Sequence, residues 1–295
     1  MKRASAIALD YRTPGAWLRV LYHALSMAKR VQGKVALVTG AGSGMGRAGA
    51  TLLAAEGALV VVADINEEKG RRICQSINDA GNQAVFAALD VRSSEGVQRV
   101  VDETVSRFGR VDVLYHNAVD VRFVNEEDRR LTELPEETWD RMIDLVLNGT
   151  FRCCKYVGRQ MVAQKSGSII LTATVDALIG CAGMDAYTAA KGGVVSVTRS
   201  FAAGMAKDGV RVNAICPGFV TTEPQMEWIS RPEAKAMMAQ LHLLPVATPE
   251  QIAPFVVYLA SEESSAVTGG IFPIDSGYMA FKANVDLMGV ASGQQ

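Results

Sequence analysis

Short, uninterrupted apolar runs alternate with segments of helical spacing along almost the whole of this chain, and that alternation limits its fold more than any other feature. The runs are Val35 to Thr39, Ala58 to Ala63, Gln83 to Leu89, Val111 to His116, Ser168 to Ala173, Val210 to Ile215 and Ile271 to Ile274. A strand that is apolar at every position is covered on both faces. The cover comes from helical segments at Gly44 to Glu56, Glu67 to Ala80, Ser94 to Phe108, Glu136 to Lys165, Asp185 to Lys207 and Glu250 to Ala260, with Ser93 as an N-cap. Strands joined by helices lie parallel, with right-handed crossovers. The expected fold is α/β, a single doubly wound, Rossmann-like domain of about seven parallel strands with helices on both faces.

Residues 31–280 carry this pattern without a composition break or an internal repeat. Two stretches interrupt it. Asp120 to Leu134 is charged and irregular. The segment 217–248 contains Met226, Trp228, Met237, Met238 and Leu241, and long loops of this kind are usually functional, so it is expected to be a substrate loop. Residues 1–30 form an N-terminal extension, basic, with Asp10 its single acid. Trp17, Leu18, Leu21 and Leu25 suit a membrane-surface or targeting helix, but the favoured readings are a floppy extension or a start placed too early, ahead of Met27. Residues 281–295 read as a C-terminal tail.

Charge and cysteine usage exclude several function classes. The formal net charge of −1 offers no field for nucleic acid or an anionic membrane. No run reaches the ~18 apolar residues of a membrane-spanning helix. The five cysteines form no CxxC pair and cannot all be paired, which fits a reduced cytoplasmic setting. The three histidines lack metal-ligand spacing, so no metal site is expected.

The chemistry begins at residues 39–46, Thr-Gly-Ala-Gly-Ser-Gly-Met-Gly. The cluster follows a buried strand and opens a helix. Backbone N–H groups and a helix N-terminus then face a pyrophosphate. Thr39, Gly40, Ser43, Gly44, Met45 and Gly46 are candidate cofactor-binding residues. Asp64, followed by Ile65, ends the second strand, where a carboxylate accepts from ribose hydroxyls and repels a 2′-phosphate. NAD is therefore expected over NADP. Lys69 and Arg71 lie further along the next helix.

Tyr187 and Lys191 stand four residues apart, on one helix face. A free phenol titrates at about 10, and a nearby ammonium together with an oxidised nicotinamide favours its ionised form. Tyr187 is the candidate acid/base, Lys191 its electrostatic partner, and Thr174 a hydroxyl to orient a carbonyl oxygen.

With these motifs in view, the chain from about Gly33 to Tyr278 resembles the classical short-chain dehydrogenase/reductase family. The matching residues are Thr39-Gly-x-x-x-Gly-x-Gly46, Asp90-Val91, His116-Asn117-Ala118, Tyr187-x-x-x-Lys191, Pro217-Gly218-x-Val220-x-Thr222 and Asp275-x-Gly277. The resemblance implies cofactor contacts at Asp90 (adenine), Val91, Asn117, Ala118, Tyr187, Lys191, Pro217, Gly218, Val220 and Thr222 (carboxamide). It also implies hydride transfer with Tyr187 as acid/base, and a homodimer or homotetramer built on the two long helices.

Four departures stand out. Thr174 occupies the usual serine position, thirteen residues before Tyr187. Val146 occupies that of the proton-relay asparagine, with His116 or Asn148 as candidate substitutes. Val119 follows Asn117-Ala118 where the family has glycine, and Ser276 interrupts Asp275-x-Gly277. The expected function is an oxidoreductase moving a hydride between NAD and a small secondary alcohol or ketone. The methionine-rich loop, with Val119 and Val146, suggests an apolar substrate such as a terpenoid, steroid-like or aromatic compound. The alternatives are an NAD-binding sensor or structural protein with little catalysis, and a 3-oxoacyl-(acyl carrier protein)-type reductase.

Overall fold

The computed structural model describes residues 29–280. The extension and tail expected at the two ends lie outside the described residues, save for Lys29 and Arg30.

Seven strands form one fully parallel sheet: β1 (Val35–Thr39), β2 (Leu59–Asp64), β3 (Gln83–Ala88), β4 (Val113–His116), β5 (Gly167–Thr172), β6 (Val210–Pro217) and β7 (Ile271–Ile274), in the order β3-β2-β1-β4-β5-β6-β7. The chain winds outward from β1 in one direction, then returns to start the other half at β4. β1 and β4 are therefore neighbours, with Thr39 in register with His116. A crevice opens at their carboxyl ends, where ligands bind in open sheets of this type.

Alternate residues of each strand enter two different cores. Leu37, Leu114, Ile169 and Leu171 face one layer, which includes α3 (Ser94–Phe108), α6 (Gly149–Ala163) and α8 (Asp185–Met205). Val38, Val60, Val62, Tyr115 and Ile215 face the other, with α1 (Gly44–Ala55), α2 (Glu67–Asp79) and α11 (Pro249–Ala260). This is the physical meaning of the uninterrupted apolar runs. Each fully buried Leu or Ile contributes about 1.5–3 kcal/mol relative to exposure.

Three segments differ from the sequence reading. The interval Glu136 to Lys165 is not one regular helix. It divides into α5 (Glu136–Met142), a π-helical stretch at Ile143–Asn148, and α6. Such wide turns are often found at functional sites. The two irregular stretches also contain helices: α4 (Val121–Glu127) in the first, α9 (Glu223–Ile229) and α10 (Pro232–Leu241) in the second. The remaining short α-helix is α7 (Asp176–Ile179). Among the described residues no helix is long and apolar enough to cross a membrane.

Candidate active site

The crevice is held open by polar groups at the strand ends. Thr39 Oγ1 accepts from the backbone N–H groups of Asn117 at 3.2 Å and Ala118 at 3.4 Å, and lies 2.9 Å from His116 Nδ1. Asn117 Oδ1 accepts from Thr172 Oγ1 at 3.1 Å. Lys191 Nζ donates to the Thr172 carbonyl at 2.6 Å. These bonds tie β1, β4, β5 and α8 together under the site floor.

The glycine turn forms one wall. Gly40 has φ +64°, a conformation glycine adopts readily. Gly42 N–H donates to Asp64 Oδ2 at 2.7 Å, and Asn66 N–H donates to Asp64 Oδ1 at 2.8 Å. Both oxygens of Asp64 are thus anchored, leaving their other lone pairs available. Lys69 also stands over Gly42, close to Asp64. Gly44 N–H donates to Glu223 Oε2 at 3.2 Å, so an anionic oxygen already sits on the turn.

Two cavities meet here and share Val119 and Val121. A groove of about 320 Å³ is lined by Gly40, Ser43, Asp64, Ile65, Asp90, Val91 and Ala118. A second cavity of about 300 Å³ is lined by Met45, Thr174, Tyr187, Lys191, Pro217, Gly218, Val220 and Thr222. The structure therefore brings most of the sequence-derived candidates to one continuous crevice. Thr39, Gly44, Gly46 and Asn117 are buried beneath it and do not line it. Asp90 is engaged by Arg92, whose guanidinium grips both carboxylate oxygens at 2.7 to 3.1 Å. This holds the Asp90 carboxyl below its ordinary range.

Desolvation dominates the titration of the central pair. In this structure the Tyr187 phenol is pushed up, first by burial and then by the negative charge of Asp176. Lys191 lies 5.7 Å from the Tyr187 ring centroid but does not reverse this. Burial also pushes Lys191 down, to about 8. Desolvation of Tyr187 outweighs the single ammonium, and the expected ionisation rests on that ammonium together with the charge of an oxidised nicotinamide.

Two of the four departures from the family pattern also resolve, at Val146 and Val119. Val146 is buried in the core within the π-helical stretch and does not line the cavity, so the apolar surface expected from it there is absent. Asn148 is exposed and donates to Asp144 Oδ1 at 3.3 Å, away from the crevice. His116 is buried, and its Nε2 has no partner among the described residues. Burial, with the Lys191 charge beside it, lowers its pKa to about 3, so the ring is neutral. Val119 does line the cavity.

Of the substrate-loop residues, Trp228, Met237, Met238 and Leu241 reach the cavity and Met226 does not. Several lining residues escaped the sequence reading, among them Met184, Phe219 and Tyr278. So did two carboxylates. Asp176 lies two residues after Thr174, a spacing open to inspection. Asp128 gave no signal, because its partners are remote in sequence. It is buried and accepts from the N–H groups of Ala186 at 3.1 Å and Tyr187 at 2.8 Å, capping α8 from a distant loop. Asp128→Ala leaves both donors unpaired. It is expected to lower stability by about 1–3 kcal/mol in denaturant unfolding, and to lower activity because Tyr187 loses its backbone anchor.

Comparison with known proteins places this geometry among relatives. A family profile described as "Enoyl-(Acyl carrier protein) reductase" matches residues 40–279. The chain is 35% identical over 248 residues to 3-oxoacyl-(acyl-carrier-protein) reductase FabG of Thermotoga maritima, covering 84% of this chain and 98% of that protein. It is 35% identical over 253 residues to cyclohexanol dehydrogenase of an Acinetobacter species, covering 85% and 97%. The crystal structure of levodione reductase superimposes with a TM-score of 0.80 at 30% identity, covering 86% of this chain and 100% of that one.

Proposed function

The chain belongs to the short-chain dehydrogenase/reductase family of oxidoreductases, and on that premise we propose that it is an NAD-dependent dehydrogenase of small cyclic secondary alcohols, or their ketones. The observation that carries this reading is the union of an apolar cavity with the Tyr187–Lys191 pair at the end of a glycine-turn groove.

The residues present fit a nicotinamide dinucleotide. The Thr222 hydroxyl is buried without a partner among the described residues, next to the glycine turn. The Gly44 N–H carries an anionic oxygen in the form of Glu223. Asp64 stands, anchored, at the end of β2, where a ribose would lie. Bound NAD supplies the hydride acceptor. The protein's own part is to place and deprotonate the alcohol. Tyr187 takes the hydroxyl proton, so its phenol must ionise within the loaded complex. Lys191, held by the Thr172 carbonyl, stabilises the phenolate and remains largely cationic at neutral pH. Thr174 contacts the reacting oxygen. Phe219, Trp228 and Met238 exclude water and grip an apolar body. The cavity of about 300 Å³ has to take the reacting end of the cofactor as well as the substrate, which suits one ring better than a long acyl chain.

NAD is proposed over NADP because Asp64 is fixed at the ribose position, although Lys69 stands close by. The specificity constant is expected to favour NAD by at least about tenfold, or roughly 1.4 kcal/mol. Steady-state assays with both cofactors, run on cyclohexanol and on an acetoacetyl thioester, test the reading. A preference for NADP together with the thioester would instead support the reductase activity named for the Thermotoga relative.

A further inference from the structure

One carboxylate in the cavity has no role in the reaction as described. Asp176 is half-buried among apolar lining residues, and burial raises its pKa. Among the described residues, its side chain has one hydrogen-bond donor. The Thr174 hydroxyl donates to Asp176 Oδ2 at 2.9 Å, while the Asp176 N–H donates to Thr174 Oγ1 at 3.3 Å. No salt bridge pairs it among those residues. A carboxylate offers about four acceptor sites, and leaving most of them empty in an apolar cavity is costly.

The Thr174 contact makes the position more telling. A hydroxyl has a single proton. While Asp176 is charged, that proton is committed to it, and Thr174 cannot also donate to the reacting oxygen. The same negative charge opposes ionisation of Tyr187. A ligand that brings its own donor or positive charge to Asp176 relieves both effects. It satisfies the carboxylate, returns the Thr174 proton to the carbinol oxygen and offsets the charge facing Tyr187.

We propose that Asp176 is a substrate-binding residue, and that the substrates are secondary alcohols carrying a second hydrogen-bond donor, a hydroxyl or an ammonium, on the carbon next to the carbinol. The adjacency follows from geometry, since Asp176 bonds directly to the threonine that meets the reacting oxygen. The reaction is unchanged. The carbinol C–H gives its hydride to NAD, the O–H proton passes to Tyr187, and the second donor group is retained in the hydroxy- or amino-ketone product. This inference rests on the dehydrogenase reading and narrows its substrate class. An anionic neighbour on the substrate would be repelled.

Four probes test it with NAD: cyclohexanol, cyclohexane-1,2-diol, 2-aminocyclohexanol and 2-hydroxycyclohexanecarboxylate. In the wild-type protein, kcat/KM for the diol and the amino alcohol is expected to exceed that for cyclohexanol by about tenfold or more, the size of a hydrogen bond to a charged group. The larger gain of the two identifies the donor. The carboxylate is expected to be the poorest probe. Asp176→Asn should erase the advantage of the amino alcohol and raise kcat/KM for the carboxylate about tenfold, a reversal by charge that general damage to the fold would not produce. The wild-type series stands as a test even if the variant fails to fold. Cyclohexanol oxidised as efficiently as the diol and the amino alcohol overturns the inference and leaves the dehydrogenase reading intact. NADH from none of the four overturns both.

Discussion

Tyr187→Phe is expected to lower kcat for alcohol oxidation by about 10²–10⁴-fold, the range of a lost general acid–base contribution, while the affinity for NAD stays close to that of the wild type. Phenylalanine keeps the ring and its packing in the cavity wall and removes only the hydroxyl. The pH dependence should change with it. Burial and the charge of Asp176 hold the phenol above its ordinary value in the free protein. In the wild type, therefore, oxidation should rise with pH as the phenolate forms, because the base is the deprotonated state. In the variant that rising limb should vanish. Steady-state rates across pH, beside a fluorescence titration with NAD, measure both. A variant with undiminished kcat would remove Tyr187 from the mechanism.

The second large effect is expected at the glycine turn. A Cβ on Gly46 would lie 2.1 Å from the Gly40 carbonyl oxygen and 3.0 Å from Asn117 Nδ2. The first of these is a backbone atom, so the turn itself must move. Gly40 cannot yield easily, since a Cβ of its own would meet Ala118 Cα at 2.8 Å. Gly46→Ala is thus expected to cost about 1–3 kcal/mol of stability, as overpacking does. It should also weaken NAD binding by about a hundredfold, or roughly 2.7 kcal/mol, by displacing the turn proposed to hold the diphosphate. The matching control is Gly204→Ala on α8, where an added Cβ meets nothing within 4 Å. That change should stabilise the protein by about 0.5–1 kcal/mol through helix propensity. Calorimetry and cofactor titration of the two variants separate crowding of the turn from loss of glycine as such.

The sheet was legible in the sequence because burial on both faces leaves a continuous signature: Val60 and Val61 are both apolar though they enter opposite cores. The glycine turn was legible because its spacing, its preceding strand and its following helix agree. The interruption at Ile143–Asn148 was not. A widened turn leaves the apolar periodicity nearly intact, so the segment reads as one helix. Val146 and Val119 looked equivalent as apolar departures, yet only Val119 reaches the cavity, because helix phase beyond that irregular turn cannot be counted from residue spacing. Asp128 was invisible for another reason. It caps a helix that begins 57 residues later, and no local pattern encodes such a partner. The direction of the Tyr187 shift depends on desolvation, a property of the assembled crevice rather than of the Tyr-x-x-x-Lys spacing.

Isotope transfer offers the most direct measurement of all. Wild-type protein would be incubated with NAD and a secondary alcohol deuterated at the carbinol carbon, and the reduced cofactor examined by mass spectrometry. Direct hydride transfer predicts one deuterium in each NADH formed, with label appearance nearly abolished in Tyr187→Phe. NADH formed without the label would contradict the account, as would a protein that binds NAD tightly yet transfers no deuterium from any alcohol offered.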